Sequence, residues 1–186
     1  MRTGRQIFWG MLLCVLFCAG CGSGADGSLP GQSIPRENIV AVNVVSESGD
    51  VHISRGRGDT VKFTAKYRVD AQDAGRRKLI EQNLIVANSV DENGLLTLYS
   101  HLGSGATLGA GGQDESYRID LEVQVPDGMG SIVVQSQQGD ISLEGLRGAE
   151  ILLVGNTGSI TVRDTSIAGT SSVTAMLGDI DMRLKS

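Results

Sequence analysis

The sequence has few of the residues from which binding and catalytic sites are usually made. Only 4% of its 186 residues are aromatic, and His occurs twice. Beyond the N-terminal apolar run the aromatics reduce to Phe63, Tyr67, Tyr99 and Tyr117, all expected at inward strand positions, so no exposed platform for stacking sugars is foreseen. His52 and His101 have no Cys or second His at ligand spacing, which argues against a metal site. The three cysteines, Cys14, Cys18 and Cys21, fall within the first 21 residues and leave no disulfide framework for the rest. Sixteen basic residues face 21 acidic ones; without Arg2 and Arg5 the balance is −7, which speaks against nucleic acid or anionic lipid as a partner.

Glycine, by contrast, is abundant at 26 residues, and many of these recur on a pattern. From Ser131 onward the chain repeats one phrase: apolar, any, apolar, any, small, any, any, Gly, Asp or Ser, apolar, any, apolar. Ile132, Val134, Ser136, Gly139, Asp140, Ile141 and Leu143 fill it first. A step of 19 residues gives Ile151, Leu153, Gly155, Gly158, Ser159, Ile160 and Val162; another of 20 gives Ser171, Val173, Ala175, Gly178, Asp179, Ile180 and Met182. Ninety residues upstream of the first copy, Val42, Val44, Ser46, Gly49, Asp50, Val51 and Ile53 say the same thing.

Self-similarity with a period near 20 residues predicts a solenoid, whose coils bury their apolar sides only by stacking on one another. The apolar residues alternate, so each half of the phrase is a short strand. Between the halves lies a bend, where Gly49, Gly139, Gly158 and Gly178 supply positive φ and Asp50, Asp140, Ser159 and Asp179 can bond nearby backbone amides. The expected fold class is all-β, a right-handed β-solenoid with coils of about 20 residues, plus one short helix and a hairpin in the N-terminal half.

Residues 1–20 read as an export signal, with Arg2 and Arg5 ahead of an apolar run from Ile7 to Ala19. Ala19-Gly20-Cys21 resembles the lipobox of bacterial lipoproteins, with Cys18 where that pattern usually has Leu. The resemblance implies diacylation of Cys21 and anchoring to the cell membrane or outer membrane, with the domain on the extracytoplasmic side. Gly22 directly after the cysteine points to the outer membrane under the same family's sorting rule. Residues 21–38, rich in Gly, Ser and Pro, read as a flexible tether, and 39–186 as the β domain.

Within that domain Val61 to Val69 alternates as a long strand, and Asp70 to Asn83 changes to a helical period with Asp70 or Asp73 as N-cap. Leu84–Val90 and Leu95–Ser100 flank a turn at Asp91–Gly94; Gly103–Gly112 reads as a flexible loop; Tyr117–Val125 is a strand ended by Pro126-Asp127-Gly128. A strand ending in Val-Pro-Asp-Gly, followed by the Gly-Asp phrases and preceded by a short helix and hairpin, resembles the bacterial β-strand repeat domains of unknown function known as DUF4097-type putative adhesins. The resemblance covers Ile39 to the C-terminus and brings no catalytic residue with it. Members usually have more coils, which implies a short or truncated member.

Three kinds of chemistry compete with plain turn structure. Asp50, Asp140 and Asp179 should stack along one corner, as carboxylates do in polysaccharide-acting β-helix enzymes, but paired acids need environments that drive their pKa values apart, and Ser159 interrupts the column. A calcium repeat would return every nine residues. A serine nucleophile at Ser104 near His101 lacks the elbow that would present it. Arg76, Arg77 and Lys78 read as the solvated face of the helix. The expectation is therefore a lipid-anchored envelope protein without catalytic, cofactor or metal residues, acting as scaffold or adhesin-like module. Its partners would be the membrane, through Cys21, and an envelope or surface protein. A polysaccharide-acting enzyme and an envelope-stress partner protein are the alternatives.

Overall fold

The computed structural model describes residues 24–109 and 114–185; residues 1–20, expected as an export signal, and Cys21 lie outside them. Each phrase forms two strands around its bend: β2 (Ala41–Ser46) and β3 (Val51–Arg55), β8 (Ser131–Gln138) and β9 (Ile141–Glu144), β10 (Arg147–Thr157) and β11 (Ile160–Ile167), β12 (Ser172–Leu177) and β13 (Ile180–Leu184). Alternation decides which side chains are buried. Val42, Val44, Val51, Ile53, Ile132, Val134, Ile141, Leu143, Ile151, Leu153, Ile160 and Val162 are all sealed inside.

The sequence offsets are also the strand register. Val42 pairs with Ile132, Ile132 with Ile151, and Leu153 with Val173, all in parallel ladders. Across the bend Val51 pairs with Ile141, Ile141 with Ile160, and Ile160 with Ile180. Identical positions of the phrase therefore lie side by side, so a row of aliphatic side chains runs through the interior perpendicular to the strands.

A further pair of strands joins these ladders without the sequence showing a complete phrase. β6 (Leu95–Leu102) sets Leu96, Leu98 and Ser100 beside Val42, Val44 and Ser46, and β7 (Ser116–Val125) sets Leu121 and Val123 beside Val51 and Ile53. The two halves agree with the phrase up to the small residue and again from Asp120 onward, but 19 residues separate Ser100 from Asp120.

The flanks are antiparallel. β4 (Thr60–Asp70) lies on β7, and β5 (Leu84–Val90) makes the expected hairpin with β6. Residues 24–35, expected within a flexible tether, are instead a strand, β1 (Gly24–Pro35), paired along β4 and followed by a 3-10 turn at Arg36–Asn38. Its composition is that of a linker for a packing reason. A Cβ at Gly27 would collide with the Tyr67 ring, the register breaks between Leu29 and Gln32 around Pro30-Gly31, and Leu29 and Ile34 pack against the core.

Along one path the strands run β1-β4-β7-β3-β9-β11-β10-β8-β2-β6-β5, with β12 beside β10 and β13 beside β11. The fold is all-β, and its 13 strands make a nearly closed, barrel-like sheet of mixed parallel and antiparallel ladders. Closure occurs where β10 meets β11 at Arg147–Ser166 and Ala149–Ile167.

The helix α1 (Ala74–Gln82) forms where expected, with the Asp73 carboxylate accepting the Arg76 amide at 2.7 Å. Ile80 is buried beneath it. Arg76 is not simply solvated: its guanidinium donates to both oxygens of Glu115, each at 2.8 Å, and to the Thr107 carbonyl. Gly109 donates its amide to the same carboxylate, so residues 103–109 of the expected flexible loop are tied to the helix, and Ala106 is buried.

Leu153 is fully buried while its neighbour Leu152 is 42% exposed. Leu153→Ala should lower the unfolding free energy by about 2–5 kcal/mol, and Leu152→Ala by less than about 0.5 kcal/mol, both read from urea denaturation. Glu115 has a side chain only 2% exposed, and the Arg76 guanidinium, with help from the Gly109 amide, holds its carboxyl below the usual carboxylate range. A depressed folded-state pKa means that this pair stabilises the fold above the ordinary Glu value and stops doing so as pH falls through the lowered one. Glu115→Gln should accordingly flatten the acid limb of a stability–pH profile below about pH 4.3, and an unchanged limb would count against the pair.

Candidate functional site

The corners where the phrases bend bring the candidate residues into one column. Gly49, Gly139, Gly158 and Gly178 have φ between +121° and +146°, a region that favours glycine. Each sits on the one before it: a Cβ at Gly139 would overlap the Gly49 carbonyl, one at Gly158 that of Gly139, and one at Gly178 that of Gly158. The amides follow the same course, Gly49 donating to Gln138 O at 2.8 Å, Gly139 to Thr157 O and Gly158 to Leu177 O at 2.9 Å.

The carboxylates beside these glycines form a ladder from corner to corner. Asp120 Oδ1 accepts the Asp50 amide at 2.9 Å, Asp50 Oδ1 accepts the Asp140 amide at 2.9 Å, and Asp140 Oδ1 accepts the Ser159 amide at 2.8 Å. The partner of each is thus the backbone of the adjacent corner and not of its own bend, as local turn chemistry alone would have it. Asp179 stands at the end of the column, exposed, with its carbonyl accepting the Ile160 amide at 2.8 Å.

Asp120 and Arg118 belong to this site although neither stood out in the sequence. Arg118 Nη2 donates to Asp50 Oδ2 at 2.7 Å and to Asp120 Oδ1 at 2.8 Å, and the bond to Asp120 leads in pushing the guanidinium pKa upward. The cue was present: Asp120, Leu121 and Val123 repeat the second half of the phrase, but the preceding glycine is missing and Ile119 stands in its place. Without the Gly, a search on Gly-Asp passes over it.

Chemically, this column is occupied with its own backbone. Asp50 uses one oxygen on an amide and the other on Arg118, and Asp140 uses one on an amide. A carboxylate whose oxygens are taken up by backbone amides and a guanidinium suits a structural acceptor better than a proton shuttle. Among the described residues no group of three or more His, Cys, Asp and Glu is placed to hold a metal.

The remaining candidates fall elsewhere. His52 lies half-buried on the outer face, its Nδ1 2.7 Å from Ser142 Oγ. Among the described residues no hydrogen bond joins Ser104 to His101. The outer face nearby carries the Lys66–Glu122 pair at 2.8 Å, each partner stabilising the other's charge. Phe63, Tyr67 and Tyr117 are buried as expected, but Tyr99 points outward, because Leu98 and Ser100 take the inner row. Tyr117 donates to Glu47 Oε2 at 2.7 Å, and burial, then Glu47, pushes its phenol well above the ordinary value. Arg36, Arg55 and Arg57 surround an open cleft of about 460 Å³ with Asp59 and Asp127; Arg55 pairs with Asp127, so its charges are largely balanced.

The corner geometry sets a test. Gly139 and Gly145 both have positive φ, but a Cβ at Gly145 would have 3.6 Å to its nearest neighbour whereas one at Gly139 has no room. Gly145→Ala should cost about 1–2 kcal/mol; Gly139→Ala should abolish the cooperative unfolding transition followed by circular dichroism.

No known family pattern matches the chain, and no curated protein matches its sequence. Solved structures do match it. One of a putative cell adhesion protein from Clostridium sporogenes ATCC 15579 superposes with a TM-score of 0.53 at 12% identity, over 87% of this chain and 100% of that one. Two from Parabacteroides distasonis ATCC 8503 follow. A putative adhesin has a TM-score of 0.35 at 12% identity over 86% and 68% of the two chains, and a putative lipid binding protein 0.31 at 14% over 87% and 69%. The first of these likenesses places the chain in the same fold.

Proposed function

We propose that the chain is a non-enzymatic, lipid-anchored β-repeat module of the cell envelope, a short right-handed β-solenoid of the DUF4097 type acting as scaffold or adhesin-like binding surface. The observation that carries this reading is the corner ladder: the residues best suited to acid–base work, Asp50, Asp120 and Asp140, are engaged with backbone amides of neighbouring corners. Stacked corners with a 19-to-20-residue register support the solenoid, and the shared fold with a putative cell adhesion protein supports the adhesin-like role. The outer face offers charged and polar side chains over a broad, shallow surface, which fits protein contact better than a small-molecule pocket.

Attachment would come from the lipid on Cys21. Among the described residues no helix is long and apolar enough to cross a membrane, so the lipidated N-terminus is the anchor this reading requires. Fractionation of cells producing the full chain should find it with the membranes, and Cys21→Ser should move it to the soluble fraction; a variant that still sediments with membranes would count against the lipid. Release of sugar from envelope polysaccharides that disappears in an Asp140→Asn/Asp179→Asn variant of unchanged melting temperature would replace this reading with the enzymatic one.

A further inference from the structure

The two outer faces of the sheet differ in chemistry. Strands β4, β7, β11 and β13 show charged side chains to solvent, among them the pairs Lys66–Glu122, Arg118–Asp120 and Arg163–Asp181. The other face is made by β5, β6, β2, β8, β10 and β12, whose acidic and basic side chains are only Arg147, Glu150 and His101. All three are peripheral. Arg147 lies where β10 closes on β11, Glu150 reaches beside Gly169, and His101 is near the end of β6.

Uncharged and apolar groups take the centre of this second face. Val45 pairs with Tyr99 on one side and Gln135 on the other, and Gln135 pairs with Val154; in the next row Asn43 pairs with Val133, and Val133 with Leu152. Alternation turns these side chains outward, since Val42, Val44, Ile132, Val134, Ile151 and Leu153 fill the interior. Tyr99 and Leu152 are 42% exposed and Val154 38%. The ladders from β6 to β12 are parallel and without a register shift, so the outward side chains stand in straight rows on an even surface.

We infer that this face is the contact of a homodimer, in which a second copy of the chain lays the same face against it. Charge, shape and size choose the occupant. With 16 basic residues against 21 acidic ones, two copies repel one another, and they do so least where the centre of the contact holds no charge. Depletion of charge around an aromatic and aliphatic centre is also the composition of the buried part of protein interfaces. A bilayer fits less well, because Arg147 at the closure is the sole Lys or Arg in these strands to meet phosphate headgroups. Sheet faces pack well on sheet faces with their strands nearly aligned, and a two-fold copy brings a face of equal width and evenness. Six strands about 4.8 Å apart and about 20 Å long offer roughly 550 Å² per copy. The total of about 1,100 Å² belongs to reversible rather than permanent pairs. The inference goes beyond the proposed function and depends on neither the lipid nor the absence of catalysis.

Photo-cross-linking in cells producing the full chain tests it. With p-benzoylphenylalanine in place of Tyr99, irradiation should give a covalent product of twice the chain's mass that contains this sequence alone by mass spectrometry. The same group in place of Lys62, exposed on the charged face, should not. Adding Leu152→Glu should lower the yield of the product at position 99 by roughly tenfold, and Val154→Glu should act alike. Both side chains already meet solvent, so the melting temperature should stay unchanged. No dimer-sized product at position 99, equal yields at positions 99 and 62, cross-links to lipid or to other proteins in place of a second copy, or a yield indifferent to both substitutions would overturn the inference.

Discussion

The structure depends on how closely backbones approach at the corners. Gly49, Gly139, Gly158 and Gly178 turn the chain with positive φ, and each lies so near the carbonyl of the corner before it that no side chain fits between. That approach lets successive strand pairs keep a constant spacing on both sides of the bend. The amide and carboxylate ladders then run without a break from Asp120 to Ser159. Because each Asp bonds the neighbouring corner, the carboxylates hold the stack together more than they shape any single turn.

The interior follows from that spacing. With corners in register, equivalent aliphatic positions meet across every ladder, and the small position beside the bend stays small for the same reason: Ser46, Ser136 and Gly155 lie where the two layers converge. The Ser100 hydroxyl donates to Ser46 Oγ at 3.1 Å, extending this row into β6 and satisfying polar groups in the buried centre. Regularity of this kind leaves few concave places. It presents instead a wide outer face of charged pairs.

Much of the domain was legible in the sequence because a phrase that repeats at a constant offset predicts its own register. The 90-residue jump from Val42 to Ile132 was visible as similarity and proves to be direct strand pairing. Where the phrase was broken, legibility failed. Leu96, Leu98 and Ser100 were separated from Asp120, Leu121 and Val123 by an insertion and lacked the glycine, so the strand pair they make, and the Arg118–Asp120–Asp50 cluster with it, went unseen. Tyr99, expected inward, faces out for the same reason.

Sequence alone determined the alternation, the bends, the offsets between them and the all-β class, since each of these is written in residue type and spacing a few positions apart. Tertiary structure decided what glycine and charge mean at a given place. Residues 24–35 have the composition of a linker, and only the Tyr67 ring lying across Gly27 shows why a strand there needs it. Arg76 looks solvated until Glu115, 39 residues away, is brought beside it. A local pattern can specify how a segment bends and which side it buries, but the partner of a charge or the neighbour of a glycine is set by segments that meet only when the sheet closes.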